Sequence, residues 1–497
     1  MPARERRWEK ALWALAAGAC CCPGGRAAGA TGPYDPEVRV ESAWLYGNVN
    51  KYAYYFAELL VGSPEPQRTS VIVDTGSHLI GFPCKGCEHC GEHIDPAFDF
   101  SRSTSARWLN CSEHCASDCV GGQCPYKELY TEGSSVSGFW FNDLVRLGEG
   151  PEENPPVRAR LGCHRRENRL FYEQRADGIM GLAPAGKGGN GERRSTILED
   201  LFKDKQHVNA SVFSLCLATW GGKLTVGGYE AAYHISGSSG KEDAGRGIQW
   251  LSLTPQNYYF VFPSALMIGS IVIAAGVAAF GAAIIDSGTT FSSFPGPVFR
   301  NLVNDLNTHC SLNSGCGAKR EGDTCWRVNS LLSGPKDFPT LSMYFDHGGV
   351  KIDWPPHAYL HQSAEPGVWC RGFKEGSAYT TVLGISWMLH KDVIFDIQQG
   401  RLGVADAFCP EHGRPADLIE AASMDVAMED IAAASRPSAT EGDGRPGLLA
   451  AAAAGSLLLL LLAAGAVTVR WSRRRLRRAL SESALWDVDI CHLELDG

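Results

Sequence analysis

The chain has 497 residues, of which 20% are charged, and a formal net charge of -9. That length allows two or three domains, each able to bury its own core. With no basic excess, nucleic acid is not an expected partner.

Residues 1–30 read as a secretory signal. Arg4, Arg6, Arg7 and Lys10 precede an apolar run from Ala11 to Cys22, and Ala28-Gly29-Ala30 offers small residues for cleavage. The run is short for a membrane span, so the mature chain is expected to begin near Thr31. Residues 31–51 are a short N-terminal segment without the basic excess of a propeptide that fills an acidic cleft. Activity without N-terminal trimming is expected.

From Tyr52 to Cys409, short apolar and β-branched runs are broken by Gly, Pro, Ser and Asn. This predicts a mainly-β protein, with strands such as Val71-Ile72-Val73, Lys223 to Val226 and Val393-Ile394-Phe395. Short helices are expected around Ser195 to Lys203 and Pro297 to Thr308. Ser264 to Ile285 also lacks formal charge and has the length of a membrane span. Gly269, Gly276 and Gly281 divide it, however, and β-branched residues lie between them, so strand, turn and strand are predicted.

Residues 410–446 are acidic and rich in Ala and Ser, a stalk with no evident packed core. Residues 447–469 are uncharged and Ala/Leu-rich, long enough at about 1.5 Å per residue to cross roughly 30 Å of hydrocarbon as a transmembrane helix. Arg470, Arg473, Arg474, Arg475, Arg477 and Arg478 open the tail, 470–497. The positive-inside rule puts that tail in the cytoplasm and the remainder in the lumen or outside, a single-pass type I topology.

Cysteine use agrees with an oxidising compartment. Outside the signal and the tail stand Cys84, Cys87, Cys90, Cys111, Cys115, Cys119, Cys124, Cys163, Cys216, Cys310, Cys316, Cys325, Cys370 and Cys409. Their even count suits disulfides, whose pairing the order leaves open. Cys84-x-x-Cys87-x-x-Cys90, with His89 and His93 nearby, also fits metal-ligand spacing. The secretory context and the cysteines that follow favour disulfides, and neither metal nor cofactor is expected. Asn209-Ala210-Ser211 and Asn110-Cys111-Ser112 are glycosylation candidates.

An internal repeat organises the middle of the chain. Val71-Ile72-Val73-Asp74-Thr75-Gly76-Ser77 matches Ala283-Ile284-Ile285-Asp286-Ser287-Gly288-Thr289, and each is followed far downstream by two apolar residues and a glycine, Ile179-Met180-Gly181 and Val382-Leu383-Gly384. Two similar lobes, 52–215 and 216–409, each donating one Asp, account for this. Gly76 and Gly288 permit a tight turn, while Ser77 and Thr289 can donate to the outer carboxylate oxygens. Two carboxylates roughly 3 Å apart share a proton, so one can take a proton from water while the other polarises a peptide carbonyl.

With Tyr55 to Pro64, Ala176-Asp177-Gly178-Ile179-Met180-Gly181-Leu182 and Phe395-Asp396, these motifs resemble the pepsin-type aspartic proteases over Tyr52 to Cys409. The resemblance implies a bilobal β fold whose cleft takes an extended peptide beneath a hairpin flap, in a monomeric catalytic unit. It makes Tyr130 the flap tyrosine, within Tyr130-Thr131-Glu132-Gly133-Ser134. The cysteine-rich insert, 84–124, and the C-terminal anchor are most similar to membrane-anchored members of the plasmepsin V and nepenthesin types. That similarity implies secretory-pathway or exported substrates cut after a motif with Arg and Leu, with Glu132 meeting the Arg. It favours the endoplasmic reticulum, with the Golgi or cell surface as alternatives. Gly81 stands where pepsin carries a tryptophan that bonds the flap tyrosine, so Tyr130 needs another partner. His78, beside the first Asp motif, reads as a loop residue, with a pH-responsive role as the alternative. The competing class is an inactive pepsin-like inhibitor or a membrane receptor that binds through the insert; such proteins usually carry a damaged Asp pair, and both motifs here are intact.

Overall fold

The computed structural model describes residues 40–411, apart from 112–114, 116–118, 149–155, 188–192, 195, 205–206, 236–246, 313 and 329–333. The signal, the stalk beyond 411, the transmembrane helix and the tail expected from the sequence lie outside the described residues. Among the described residues no helix is long and apolar enough to cross a membrane.

The first lobe is built on β1 (Glu41–Asn48), β2 (Tyr54–Val61), β3 (Gln67–Asp74), β4 (Ile80–Pro83), β5 (Pro125–Leu129), β6 (Ser135–Leu147) and β7 (Val157–Glu167), followed by α1 (Leu170–Glu173) and β8 (Gly178–Gly181). The last six residues of β3 are all buried, as a strand covered on both faces must be. It pairs antiparallel with β2 and parallel with β8, Asp74 opposite Gly181.

β9 (Val212–Leu217) and β10 (Gly222–Val226) carry the sheet into the second lobe. β1 makes the junction: its first half pairs with β10 and its second half with β2. The switch falls between Leu45 and Tyr46, next to Gly47, whose φ of +107° suits glycine and where a Cβ would meet the Tyr54 carbonyl at 2.3 Å.

The second lobe contains β11 (Tyr259–Val261), β12 (Pro263–Ile268), β13 (Ile271–Ala275), β14 (Ala282–Ile285), α2 (Gly296–Leu312), β15 (Thr380–Leu383), β16 (Lys391–Asp396) and β17 (Arg401–Asp406). The charge-free stretch from Ser264 folds mostly as strands, with Gly269 at φ +56° in the β12–β13 turn and a four-residue helix, Val277–Phe280, between β13 and β14. Helix α2 buries Val298, Leu302, Leu306 and Cys310, one residue per turn on a single face. β14 pairs parallel with β15, Ile285 opposite Leu383, repeating the β3–β8 relation of the first lobe. Strand β16 pairs with β9, so the lobes share continuous backbone pairing.

Candidate active site

Asp74 ends β3 and Asp286 directly follows β14, so the repeat places one carboxyl at the same point of each lobe. The Gly76 N–H donates to Asp74 Oδ1 at 2.8 Å and the Gly288 N–H to Asp286 Oδ1 at 2.9 Å. Each glycine also faces the opposite carboxylate. A Cβ on Gly76 would lie 2.5 Å from Asp286 Oδ1, and one on Gly288 2.3 Å from Asp74 Oδ1. The two carboxyl groups meet only because neither turn carries a side chain there.

Burial, then the neighbouring Asp286 charge, pushes the Asp74 carboxyl up to about 8, against the easing effect of Ser77 and the Gly76 N–H. Thr289 Oγ1 donates to Asp286 Oδ2 at 2.6 Å, the role its position predicts. Ser77 lies beside both Asp74 and Tyr130, but among the described residues its buried hydroxyl has no partner at hydrogen-bond geometry.

The residues between each Asp and Gly were part of the repeat but had no assigned task. Thr75 and Ser287 exchange hydrogen bonds across the lobes: Thr75 N–H donates to Ser287 Oγ at 3.0 Å, and Ser287 N–H to Thr75 Oγ1 at 2.9 Å. Their hydroxyls donate onward to Ile285 O at 2.9 Å and Val73 O at 2.7 Å. The matched hydroxyl at both positions was the available signal.

Strands β5 and β6 form the hairpin that carries Tyr130, Glu132 and Gly133. The Gly133 N–H donates to Tyr130 O at 2.9 Å, and Gly133 turns the chain at φ +91°. Burial and then the Asp74 charge hold the Tyr130 hydroxyl well above its usual range. Glu132 is exposed at the tip and accepts from Ser134 Oγ. The Arg169 guanidinium donates to Glu132 O at 3.1 Å.

The fourteen cysteines among the described residues all pair: Cys84–Cys163, Cys87–Cys90, Cys111–Cys119, Cys115–Cys124, Cys216–Cys409, Cys310–Cys316 and Cys325–Cys370. The sulfurs of Cys115, Cys119 and Cys124 gather within 4.8 Å, but as disulfides they offer no thiolate to a metal. Asn110 and Asn209 are both exposed. His78 Nε2 lies 3.1 Å from Pro184 O.

A fold with one carboxyl from each of two related lobes, joined at a shared floor, defines an aspartic protease. Residues 54–407 match the eukaryotic aspartyl protease family, and the chain belongs to it. Aspartic protease 5 of Toxoplasma gondii is 34% identical over 75% of this chain and 38% of its own length. Plasmepsin V of Plasmodium falciparum is 27% identical over 74% of this chain and 73% of its own. Aspartic proteinase nepenthesin-1 of Nepenthes gracilis is 24% identical over 71% of this chain and 78% of its own.

Proposed function

We propose that the chain is an aspartic endopeptidase in which Asp74 and Asp286 activate water against a peptide bond. The observation that carries this reading is the mutual approach of each carboxylate to the other lobe's glycine. With one proton on the pair, the ionised carboxylate accepts a proton from water while the protonated one donates to the scissile carbonyl. The tetrahedral diol collapses as a proton returns to the amine nitrogen. Tyr130 covers the site from the flap, and Thr289 and the two glycine N–H groups hold the carboxylates in place.

The substrate is an extended peptide from a secreted or exported protein, cut after a motif containing Arg and Leu, with Glu132 meeting the Arg. Exposure of Glu132 at the flap tip and the similarity to plasmepsin V support this assignment. The disulfides support a lumenal catalytic unit, anchored through residues 447–469 in a secretory-pathway membrane, the endoplasmic reticulum above others.

Recombinant protein is to be assayed on a diverse peptide library from pH 4 to 8. Cleavage abolished by Asp74→Asn is expected; no cleavage, or cleavage unchanged by Asp74→Asn, overturns the peptidase reading. Comparing Arg and Lys forms of one cleaved peptide on wild type and Glu132→Ala tests the specificity, which fails if both enzymes discriminate equally.

A further inference from the structure

Behind the flap, two glycines lie opposite each other in the parallel pairing of β4 with β7: Gly81 faces Gly162. Both are buried, and the space their missing side chains leave is occupied by polar atoms. A Cβ on Gly81 would lie 2.6 Å from His164 Nε2, and one on Gly162 would lie 2.6 Å from the Tyr126 hydroxyl. Among the described residues neither of those atoms has a hydrogen-bond partner, though both are buried. An unpaired polar atom in such a place costs about 1–3 kcal/mol, so a structural role alone would favour apolar residues.

The His164 ring is held firmly from its other nitrogen. His164 Nδ1 is 2.6 Å from Glu167 Oε1, and the second oxygen of Glu167 is 3.0 Å from His93 Nε2. The side chains of His164 and Glu167 are fully buried, and that of His93 is 5% exposed. Burial pushes the Glu167 carboxyl up, but the His164 and His93 imidazoles outweigh it and hold it below its usual value.

This triad abuts the parts that support the flap tyrosine. Tyr126 sits on β5 and Tyr130 lies one residue beyond its end. The His164 ring is 6.3 Å from Tyr126 and 6.4 Å from Phe171, and Phe171 is 4.9 Å from the Tyr130 ring. Tyr126 and Phe171 share one small apolar cluster, against which Tyr130 packs.

The geometry points to His164 as a positioning residue for the flap tyrosine, fixed by Glu167 and His93 and acting through Tyr126 and Phe171 in the place vacated at Gly81. The inference rests on the peptidase reading, since it assigns Tyr130 to that reaction. His164 does not touch substrate; its ring, held by Glu167, sets how Tyr126 and Phe171 seat Tyr130 over Asp74. The titratable groups facing it are Glu167 on its own strand, His93 from the cysteine-rich insert and Tyr126 from β5. Glu128 acts on Tyr126 and Tyr130 from the same strand. α1 presents Phe171 and β4 presents Gly81, neither of which titrates.

The test is kcat and KM on one cleaved peptide for wild type, His164→Gln, Glu167→Gln and His93→Gln, with thermal unfolding as the folding check. His164→Gln is expected to lower kcat about ten- to a hundredfold with little change in KM, the size of effect that misplacing a positioning group produces. Glu167→Gln and His93→Gln, which loosen the anchor of the ring, are expected to lower kcat in the same way by a smaller factor. A kcat like that of wild type in the folded variants overturns the inference. If His164→Gln does not fold, the other two variants decide it by the same criterion. A wild type that cleaves nothing instead overturns the peptidase reading and takes this inference with it.

Discussion

Thr75 and Ser287, one from each lobe, hold each other by reciprocal hydrogen bonds of 3.0 and 2.9 Å beside Asp74 and Asp286. Each is fully or almost fully buried, so losing one hydroxyl strands two partners, an N–H on the far lobe and a strand carbonyl. Thr75→Val is expected to cost about 1–3 kcal/mol in denaturant unfolding. Thr75→Val with Ser287→Ala should cost less than the sum of the singles: the two remove different bonds, but of one network across the lobes, so the first loss weakens what the second removes. Additive losses would show that the two residues do not form one unit.

Gly288→Ala isolates the approach of the carboxylates from folding. The new Cβ would stand 2.3 Å from Asp74 Oδ1, and the Asp74 carboxyl or its own turn must move. A displacement of that kind is expected to lower kcat/KM at least about a hundredfold while circular dichroism stays that of wild type. Retained activity would mean that the carboxylates need not meet where they do.

The Asp motifs were legible because each is contiguous in sequence: strand, Asp, hydroxyl, Gly, hydroxyl. The strands in Ser264 to Ile285 were legible for a related reason, since glycines punctuate them at strand length. Cysteine pairing was not, because Cys216 on β9 meets Cys409, beyond the end of β17 and 193 residues away in sequence. The partner of the Gly81 vacancy was equally hidden. His164 reaches it from β7, and nothing local to His164 marks that strand as the neighbour of β4.

The raised Asp74 carboxyl carries a pH dependence whose sign follows from linkage. Its folded value, about 8, lies above the ordinary 3.8, so the folded state binds this proton more tightly than the unfolded chain. The stabilisation is complete below about pH 4 and is lost as pH rises towards 8. Asp74→Asn removes the ionisation, so its thermal midpoint relative to wild type should be higher at pH 8 than at pH 4. Wild-type kcat/KM should also fall as pH passes about 8, where the pair loses its shared proton. Parallel stability profiles for the two proteins would contradict the burial of this charge.

The Cys216–Cys409 disulfide ties β9 to the end of the second lobe, closing a long loop. Its removal by Cys216→Ser with Cys409→Ser is expected to cost about 2–4 kcal/mol, chiefly through the freed unfolded chain. The Cys87–Cys90 disulfide closes a separation of only 3 residues, so Cys87→Ser with Cys90→Ser should cost much less. Equal losses in chemical unfolding would place the effect in native contacts instead.

Arg169 offers a test of the flap tip that is separate from the dyad. Its guanidinium donates to Glu132 O, and a Cβ on Gly133 would lie 2.4 Å from it, so a cation rests against the acidic tip. Asn168 secures the same edge, accepting from the Ser135 N–H at 2.6 Å. In the proposed reading, a substrate Arg approaching Glu132 meets that resident cation. Both Arg169 and Glu132 are exposed, which limits the effect to about 1 kcal/mol or less. Arg169→Ala is therefore expected to raise the kcat/KM preference for an Arg peptide over its Gln counterpart by about two- to fivefold, with the thermal midpoint nearly unchanged. Because the interaction is between solvent-exposed charges, the gain should shrink at about 1 M salt, where the screening length falls to roughly 3 Å. A preference unchanged at low salt would remove both residues from the account of specificity.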